Sequence, residues 1–320
     1  MPLVVPQWSP WAPLQSLKLA WLQQYGIEVA VLRLDLIDAQ VSGNKWFKLV
    51  EYLREAAERG AEGLISLGGA HSNHLHALAA AGRRFGFPTV GLLRGNPQDT
   101  PTVSDLQACG MQLHWLGYGG YRARHEADFW VPWGQLYPQL HPVPEGGGGL
   151  LGALGCMTLL DMVKAQLGEL GWDDYHGWWM GVGTGTTLAG LVLAEDGQHP
   201  VYGAQAVPAD HGVVEQVRAV LAEAERPDLG YLLIDACRGG FAKVDAELVA
   251  FMRAAEIEAQ LPLEPLYTAK ALIALRQHVE AGYFAAGSRL IFVHTGGLQG
   301  RAASLAALRE PPGPVGMPSR

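Results

Sequence analysis

From Val29 to Leu116 the chain alternates short apolar runs with stretches of helical periodicity, and no other feature constrains its fold as strongly. VAVLRL (Val29–Leu34), GLISL (Gly63–Leu67), TVGLL (Thr89–Leu93) and QLHWL (Gln112–Leu116) read as strands. Between them, Ser42 is expected to cap a helix running to about Arg59. Further helices are expected from Ser72 to about Phe85 and from Val103 to Cys109. Strands alternating with helices imply a parallel sheet with right-handed crossovers. After a glycine-rich break, PEGGGGLLGALG (144–155), the same grammar resumes. A helix to about Leu167 is followed by strands at Gly177–Val182 and Val201–Val207, with a helix at Leu188–Leu193 between them. Helices near Gly212–Glu223, Asp245–Glu256 and Ala269–Ala281 precede a late strand at Leu290–His294. The glycine run at 146–149 is the best candidate for a linker or hinge. The last residues, PPGPVGMPSR, read as a tail.

Composition supports strands covered on both faces, since 49% of residues are hydrophobic and only 17% charged. Basic residues number 23 against 31 acidic, and no basic stripe stands out, so nucleic acids and anionic membranes are not the expected partners. Cys109, Cys156 and Cys237 are far apart and form no CxxC pair, which argues against a disulfide framework. The start lacks the basic and apolar regions of a secretory signal, and no apolar run reaches the roughly 18 residues of a membrane span. The expectation is a soluble, cytoplasmic protein.

Four constellations carry chemistry. The first is SLGGAHSNHLH, with histidines at His71, His74 and His76. A metal site needs a further ligand or a supporting carboxylate, and no acidic residue lies between Glu62 and Asp99, so no metal is expected. Ser72 and Asn73 follow an apolar strand and open a helix, where parallel sheets place their ligands and where helix amides attract anions. The second is GVGTGTT. Gly183 and Gly185 allow close backbone approach, and Thr184, Thr186 and Thr187 add hydroxyls, which makes a phosphate cup. No lysine follows it as in a Walker loop, and its third glycine is misplaced for a dinucleotide fingerprint. The third is SGNKWFKL, which puts Lys45 at a helix start and Lys48 one turn on. A helix N-terminus disfavours positive charge, so an amine there is biased toward the neutral, nucleophilic form. The fourth joins PLYTAKAL and LIFVHTGG, with Tyr267, Thr268 and Thr295.

Taken together and in order, SGNKWFKL, SLGGAHSNH, EGGGGLLGALG, GVGTGTT, PLYTAKAL and HTGG resemble the pyridoxal-phosphate-dependent family that contains 1-aminocyclopropane-1-carboxylate (ACC) deaminase and D-cysteine desulfhydrase. The resemblance implies the tryptophan-synthase-β-like fold (fold type II): two three-layer α/β/α domains with largely parallel sheets and the cofactor in the cleft between them. Residues 1–48 plus 155–320 would form a large cofactor-binding domain, and 49–154 a smaller inserted one. It also implies pyridoxal 5'-phosphate as cofactor, a small amino acid as substrate and a homodimer. Lys45 would bond to the cofactor aldehyde, Asn73 to its phenolic oxygen, and Gly183, Thr184, Gly185, Thr186 and Thr187 to its phosphate. Thr268 and Thr295 would join the cofactor set, with Thr268 at the position facing the pyridine nitrogen. Ser72, Asn73, His74 and Tyr267 would meet the substrate, with Ser72 and Tyr267 catalytic beside Lys45. His71 and His76 would be structural.

Two departures bear on the reaction. ACC deaminases carry glutamate directly after the active-site tyrosine, where this chain has Thr268, and a second tyrosine is missing near Phe241. The Tyr-Thr pair and HTGG look more like D-cysteine desulfhydrase. The expected reaction is therefore α,β-elimination of D-cysteine to pyruvate, ammonia and sulfide. The alternatives are ACC deamination to 2-oxobutanoate and ammonia, or a cofactor-binding homologue with weak or different amino-acid activity. A reading from another class takes Ser42-Gly-Asn-Lys45 as the SxxK of a serine acyl enzyme. It lacks an S-D-N element.

Overall fold

The computed structural model describes residues 1–306, so the PPGPVGMPSR tail lies outside the described residues. The strands are β1 (Leu14–Leu17), β2 (Glu28–Arg33), β3 (Gly63–Gly68), β4 (Thr89–Leu93), β5 (Gln112–Trp115), β6 (Leu140–Val143), β7 (Gly177–Val182), β8 (Val201–Gln205), β9 (Tyr231–Asp235) and β10 (Arg289–His294). They form a six-stranded sheet in the order β1-β2-β10-β7-β8-β9 and a four-stranded sheet in the order β5-β4-β3-β6. Only β1 with β2 pairs antiparallel; the other strand pairings are parallel.

The helices, in chain order, are α1 (Ala20–Gln24), α2 (Lys45–Glu58), α3 (Asn73–Phe85), α4 (Pro101–Ala108), α5 (Gly117–Arg122), α6 (Val131–Leu136) and α7 (Gly149–Cys156). There follow α8 (Thr158–Lys164), α9 (Thr186–Glu195), α10 (Val213–Glu223), α11 (Ala246–Ala259), α12 (Thr268–Glu280) and α13 (Arg301–Ala306).

Strand period explains the layering. Side chains alternate across a strand, and here both faces are apolar. Val29, Val31, Trp179, Leu290 and Phe292 pack with Leu248, Met252, Leu272 and Leu275 of α11 and α12. Their neighbours Ala30, Leu32, Trp178, Met180, Ile291 and Val293 pack on the opposite side with Leu188, Leu191 and Val217 of α9 and α10. In the smaller sheet, Ile65, Leu67, Val90 and Leu92 meet Tyr121, Phe129 and Tyr137, while Leu64 and Leu93 face the core shared with α2 and α3. Each such buried Val, Leu, Ile, Phe or Met side chain contributes about 1.5–3 kcal/mol. Both sheets are open and largely parallel with helices on both faces, as the α/β/α reading expects. No helix among the described residues is long and apolar enough to cross a membrane.

Local differences from the expected pattern have physical causes. Ser42 does not cap α2; its hydroxyl donates to the Asp35 carbonyl at 3.2 Å, and the helix starts at Lys45 with Asn44 at its cap. The helix expected up to Leu167 begins earlier, at Gly149, and is split at Met157. The glycine run ahead of it is packed rather than slack. Gly146, Gly147 and Gly149 take φ of 69°, 68° and 82°, a region that favours glycine. A Cβ on Gly155 would lie 1.9 Å from the Phe47 carbonyl oxygen, so glycine is what lets α7 press directly onto α2.

Candidate active site

A cavity of about 340 Å³ opens at the carboxyl ends of β3, β7 and β10, between loops that belong to different sheets. Ligands of parallel sheets bind at such ends, and the volume suits a small cofactor with its substrate. Lys45 reaches it from the first turn of α2, and its Nζ donates to Asn44 Oδ1 at 2.9 Å. Burial is the main cause that pulls its pKa down from 10.5 to about 7, and the like charge of Lys48 adds to it. The helix position argued from sequence thus acts together with a stronger effect, loss of water around the amine. Lys48 lies one turn on, also lowered by burial, to about 8. Its Nζ donates to Thr184 Oγ1 at 3.2 Å, which ties it to the loop after β7.

That loop is the expected cup. Gly183, Thr184, Gly185 and Thr187 line the cavity. Gly185 has φ 73°, and a Cβ there would meet Val217 at 2.5 Å, so the turn demands glycine. Thr186 does not line the cavity. Its hydroxyl lies 3.1 Å from that of Thr184, and its methyl group faces Gly152.

On the other side, Ser72 caps α3, accepting from Leu75 N–H at 3.2 Å, and still borders the cavity with Asn73 and His74. The Ser66 hydroxyl donates to Val143 O at 2.8 Å, so its contact with His74 Nε2, also 2.8 Å, is one in which the ring donates. Burial holds His74 neutral, its pKa down at about 3, with the Lys45 and Lys48 charges adding to the effect. His76 points to Asp105 at 3.5 Å. His71, expected to be structural, is exposed on the cavity rim. The three histidines do not converge, and among the described residues no cluster of three or more His, Cys, Asp or Glu could hold a metal ion.

Tyr267 lines the cavity at the cap of α12, its ring 5.5 Å from that of Phe241. Burial raises its phenol well above the usual range, so it stays protonated. Thr295 and Phe241 are in the wall, but Thr268 is not. The Thr268 hydroxyl is spent on the backbone, donating to Glu264 O at 3.1 Å and accepting from Glu264 N–H at 2.8 Å. This corrects its expected place opposite a cofactor ring.

Glu264, by contrast, was not among the expected site residues and does line the cavity. Its carboxylate accepts from Leu266, Tyr267 and Thr268 N–H at 2.6–2.8 Å, and burial raises its pKa to about 7. The usual helix-start signals place Ser, Thr, Asp or Asn directly before the helix, whereas Glu264 lies four residues before Thr268, so no standard capping pattern announces it. Asn44, Arg94 and Glu145 also line the cavity.

An amine freed of its proton near neutrality, beside a glycine–threonine turn in a cleft between parallel sheets, suits an enzyme that condenses with a phosphorylated aldehyde. The chain belongs to the pyridoxal-phosphate-dependent enzyme family, whose sequence model matches residues 9–296. A putative ACC deaminase of Pyrococcus abyssi is 27% identical over 313 residues, covering 91% of each chain. One from Thermotoga maritima is 29% identical, covering 90% of this chain and 94% of the relative. D-cysteine desulfhydrase of Salmonella typhi is 27% identical, covering 85% and 87%. Among solved structures, an ACC deaminase homologue superposes with a TM-score of 0.79 at 22% identity over 94% of both chains. Threonine deaminase isoform 2 of Solanum lycopersicum superposes at 0.66 and 16%, over 92% and 83%. These are neighbours in fold. The family excludes the SxxK reading of Ser42, whose hydroxyl is also engaged with Asp35.

The site residues fit the cofactor, with a low-pKa amine at one end and the glycine–threonine turn at the start of α9 at the other. The first testable consequence is a pH dependence. Only the free amine adds to an aldehyde, and Lys45 loses its proton near pH 7 rather than 10.5. Uptake of pyridoxal phosphate by cofactor-free protein should therefore accelerate as pH rises through about 7 and then level off. Stopped-flow absorbance would show it; a rate still climbing beyond about pH 9 would place the amine at its solution value.

Proposed function

We propose that the chain is a carbon–sulfur lyase that converts D-cysteine to pyruvate, ammonia and sulfide. The observation that carries the proposal is the state of the cavity carboxylates. Glu264 is held by three backbone amides, and Glu145 accepts from Tyr121 and from Arg124 Nε at 2.8 Å. Both are committed to protein donors, which leaves Glu264 a single unoccupied lone pair and makes each a poorer partner for a ring nitrogen than an unbonded carboxylate; the hydroxyls of Ser72 and Thr295 remain. Bound pyridoxal phosphate supplies an electron sink for the bonds at the substrate α-carbon. Without an unbonded carboxylate partner that sink is weakened, which suits expulsion of a thiolate, a good leaving group, better than opening a carbon ring.

In this reading Lys45 holds the cofactor and moves the α-proton. Ser72 and Asn73, at the N-terminus of α3, take the substrate carboxylate and the phenolic oxygen, with His74 beside them. The protonated Tyr267 faces the substrate and supplies a proton. Gly183, Thr184, Gly185 and Thr187 hold the phosphate. Residues 49–154 form the smaller domain inserted into 1–48 plus 155–320, and the enzyme works as a cytoplasmic homodimer.

ACC deamination is the second reading, favoured by the names of several relatives. One experiment separates the two: the visible spectrum of the yellow protein before and after D-cysteine, with assay of the keto acid. A shifted band with pyruvate formed supports the lyase. A band unmoved by D-cysteine but shifted by ACC, with 2-oxobutanoate formed, replaces it with the deaminase.

A further inference from the structure

Asn44 lines the cavity between Lys45 and the phosphate cup, and its hydrogen bonds run to both. Its Oδ1 accepts from Lys45 Nζ at 2.9 Å and its Nδ2 donates to Thr187 Oγ1 at 2.9 Å. The contact with Lys45 sets the amide this way round, since a flipped amide would turn its NH2 group toward the ammonium form of the amine. Thr187 Oγ1 also lies 3.7 Å from Cys156 Sγ, a long contact in which either the thiol or the hydroxyl can be the donor. A threonine hydroxyl has two acceptor sites and one proton. Asn44 fills one acceptor site, so the Thr187 proton is not spent on the amide. Thr187 borders the cavity while being almost fully buried, and sulfur is a weak acceptor beside a phosphate oxygen. The proton is therefore offered to a stronger acceptor inside the cavity.

We infer that Asn44 is a positioning residue: it parks the Lys45 amine, and by donating to the Thr187 hydroxyl it leaves that hydroxyl's proton for the cofactor phosphate. The inference rests on the family's cofactor and on the phosphate lying in the Gly183–Thr187 cup. It adds a polarity to that cup and a link from it to the amine. The groups that face Lys45 are Lys48 on α2, His74 on α3, Cys156 on α7 and Glu264 ahead of α12. Asn44 is the member of that shell that accepts a hydrogen bond from the amine.

The test is Asn44→Asp, which keeps the shape but removes the donor and places a carboxylate beside the amine. An aspartate at a helix start is compatible with the dipole, so the fold is expected to hold. Thr187 must then donate to the aspartate, and the cavity loses its donor. Two readouts follow. The midpoint of the cofactor-uptake pH profile rises by about one unit or more, because an adjacent opposite charge favours the ammonium. Binding of pyridoxal phosphate falls roughly tenfold or more, while binding of pyridoxal, which has no phosphate, is much less affected.

Thr187→Val should lose the same phosphate preference, and Thr187→Ser, which keeps the hydroxyl, should restore it. An Asn44→Asp variant with an unmoved midpoint and an unchanged preference for the phosphorylated ligand would overturn the inference. So would a Thr187→Val variant with wild-type phosphate preference. A wild-type protein that does not distinguish pyridoxal phosphate from pyridoxal would instead count against the placement of the phosphate in this cup.

Discussion

Lys45→Ala should lower turnover of any amino-acid substrate by at least roughly three orders of magnitude while leaving the fold intact. The expectation discriminates, because the cavity offers two amines. Both are desolvated, Lys45 at about 7 and Lys48 at about 8, so acidity alone does not choose between them. Their attachments do. Lys48 is bound to Thr184 in the loop that would hold the phosphate, whereas Lys45 leans on an amide, from which it can swing away. Alanine is a good helix former, so the first turn of α2 should survive the change. Borohydride reduction of the cofactor-loaded wild type, followed by peptide mapping, should label Lys45. A label on Lys48, or an alanine variant that keeps its yellow band and its activity, would reverse the assignment.

The choice between the two lysines was partly legible in the sequence, and the reasons reach across the fold. Strands buried on both faces announce themselves as unbroken apolar runs. The runs at Gly63–Leu67, Thr89–Leu93 and Gly177–Val182 accordingly became β3, β4 and β7 with little change of boundary. The strands that sequence reading missed are β1, β6 and β9, and all three lie at sheet edges. β1 is Leu14-Gln-Ser-Leu17, with a polar middle. β6 contains Pro142, which edge positions tolerate and central ones do not. Neither has a pattern that composition can separate from a loop. β9 does, since Tyr231-Leu-Leu-Ile234 is an apolar run like those of the central strands; the sequence reading overlooked it, and in the structure Ile234 is its one buried residue.

The site shows the same division. Residues next to a strand end or in a glycine-rich turn were visible: Ser72, Asn73, and the stretch from Gly183 to Thr187. Glu264 and Asn44 were passed over although Asn44 lies inside the SGNKWFKL motif and Glu264 directly precedes PLYTAKAL. Their importance comes from partners distant in sequence, such as Thr187, 143 positions from Asn44. Thr268 was misplaced for a related reason. Adjacency to Tyr267 in sequence does not fix where a side chain points at a helix start, and there the Glu264 backbone groups claim its hydroxyl.

Tyr267→Phe is the second substitution expected to cost most, with a loss of about 10²- to 10⁴-fold in turnover, the usual worth of a positioned proton donor. The phenol is kept protonated by burial, with the Glu264 and Glu145 charges adding to the effect. It can therefore give a proton but not take one at neutral pH. Phenylalanine keeps the packing against Phe241 and the close contact with Gly183, so binding of cofactor should change little. The size of the loss also reports on the reaction. A thiol has a pKa near 8.5, so a departing thiolate needs little help from an acid. A carbon of an opening ring leaves as a far stronger base and needs the proton as it goes. If D-cysteine is the substrate, the loss should sit at the low end of the range; if ACC is, at the high end. Equal turnover by Tyr267→Phe and wild type on both compounds would remove Tyr267 from the chemistry and leave Lys45, Ser72 and bound water to move every proton.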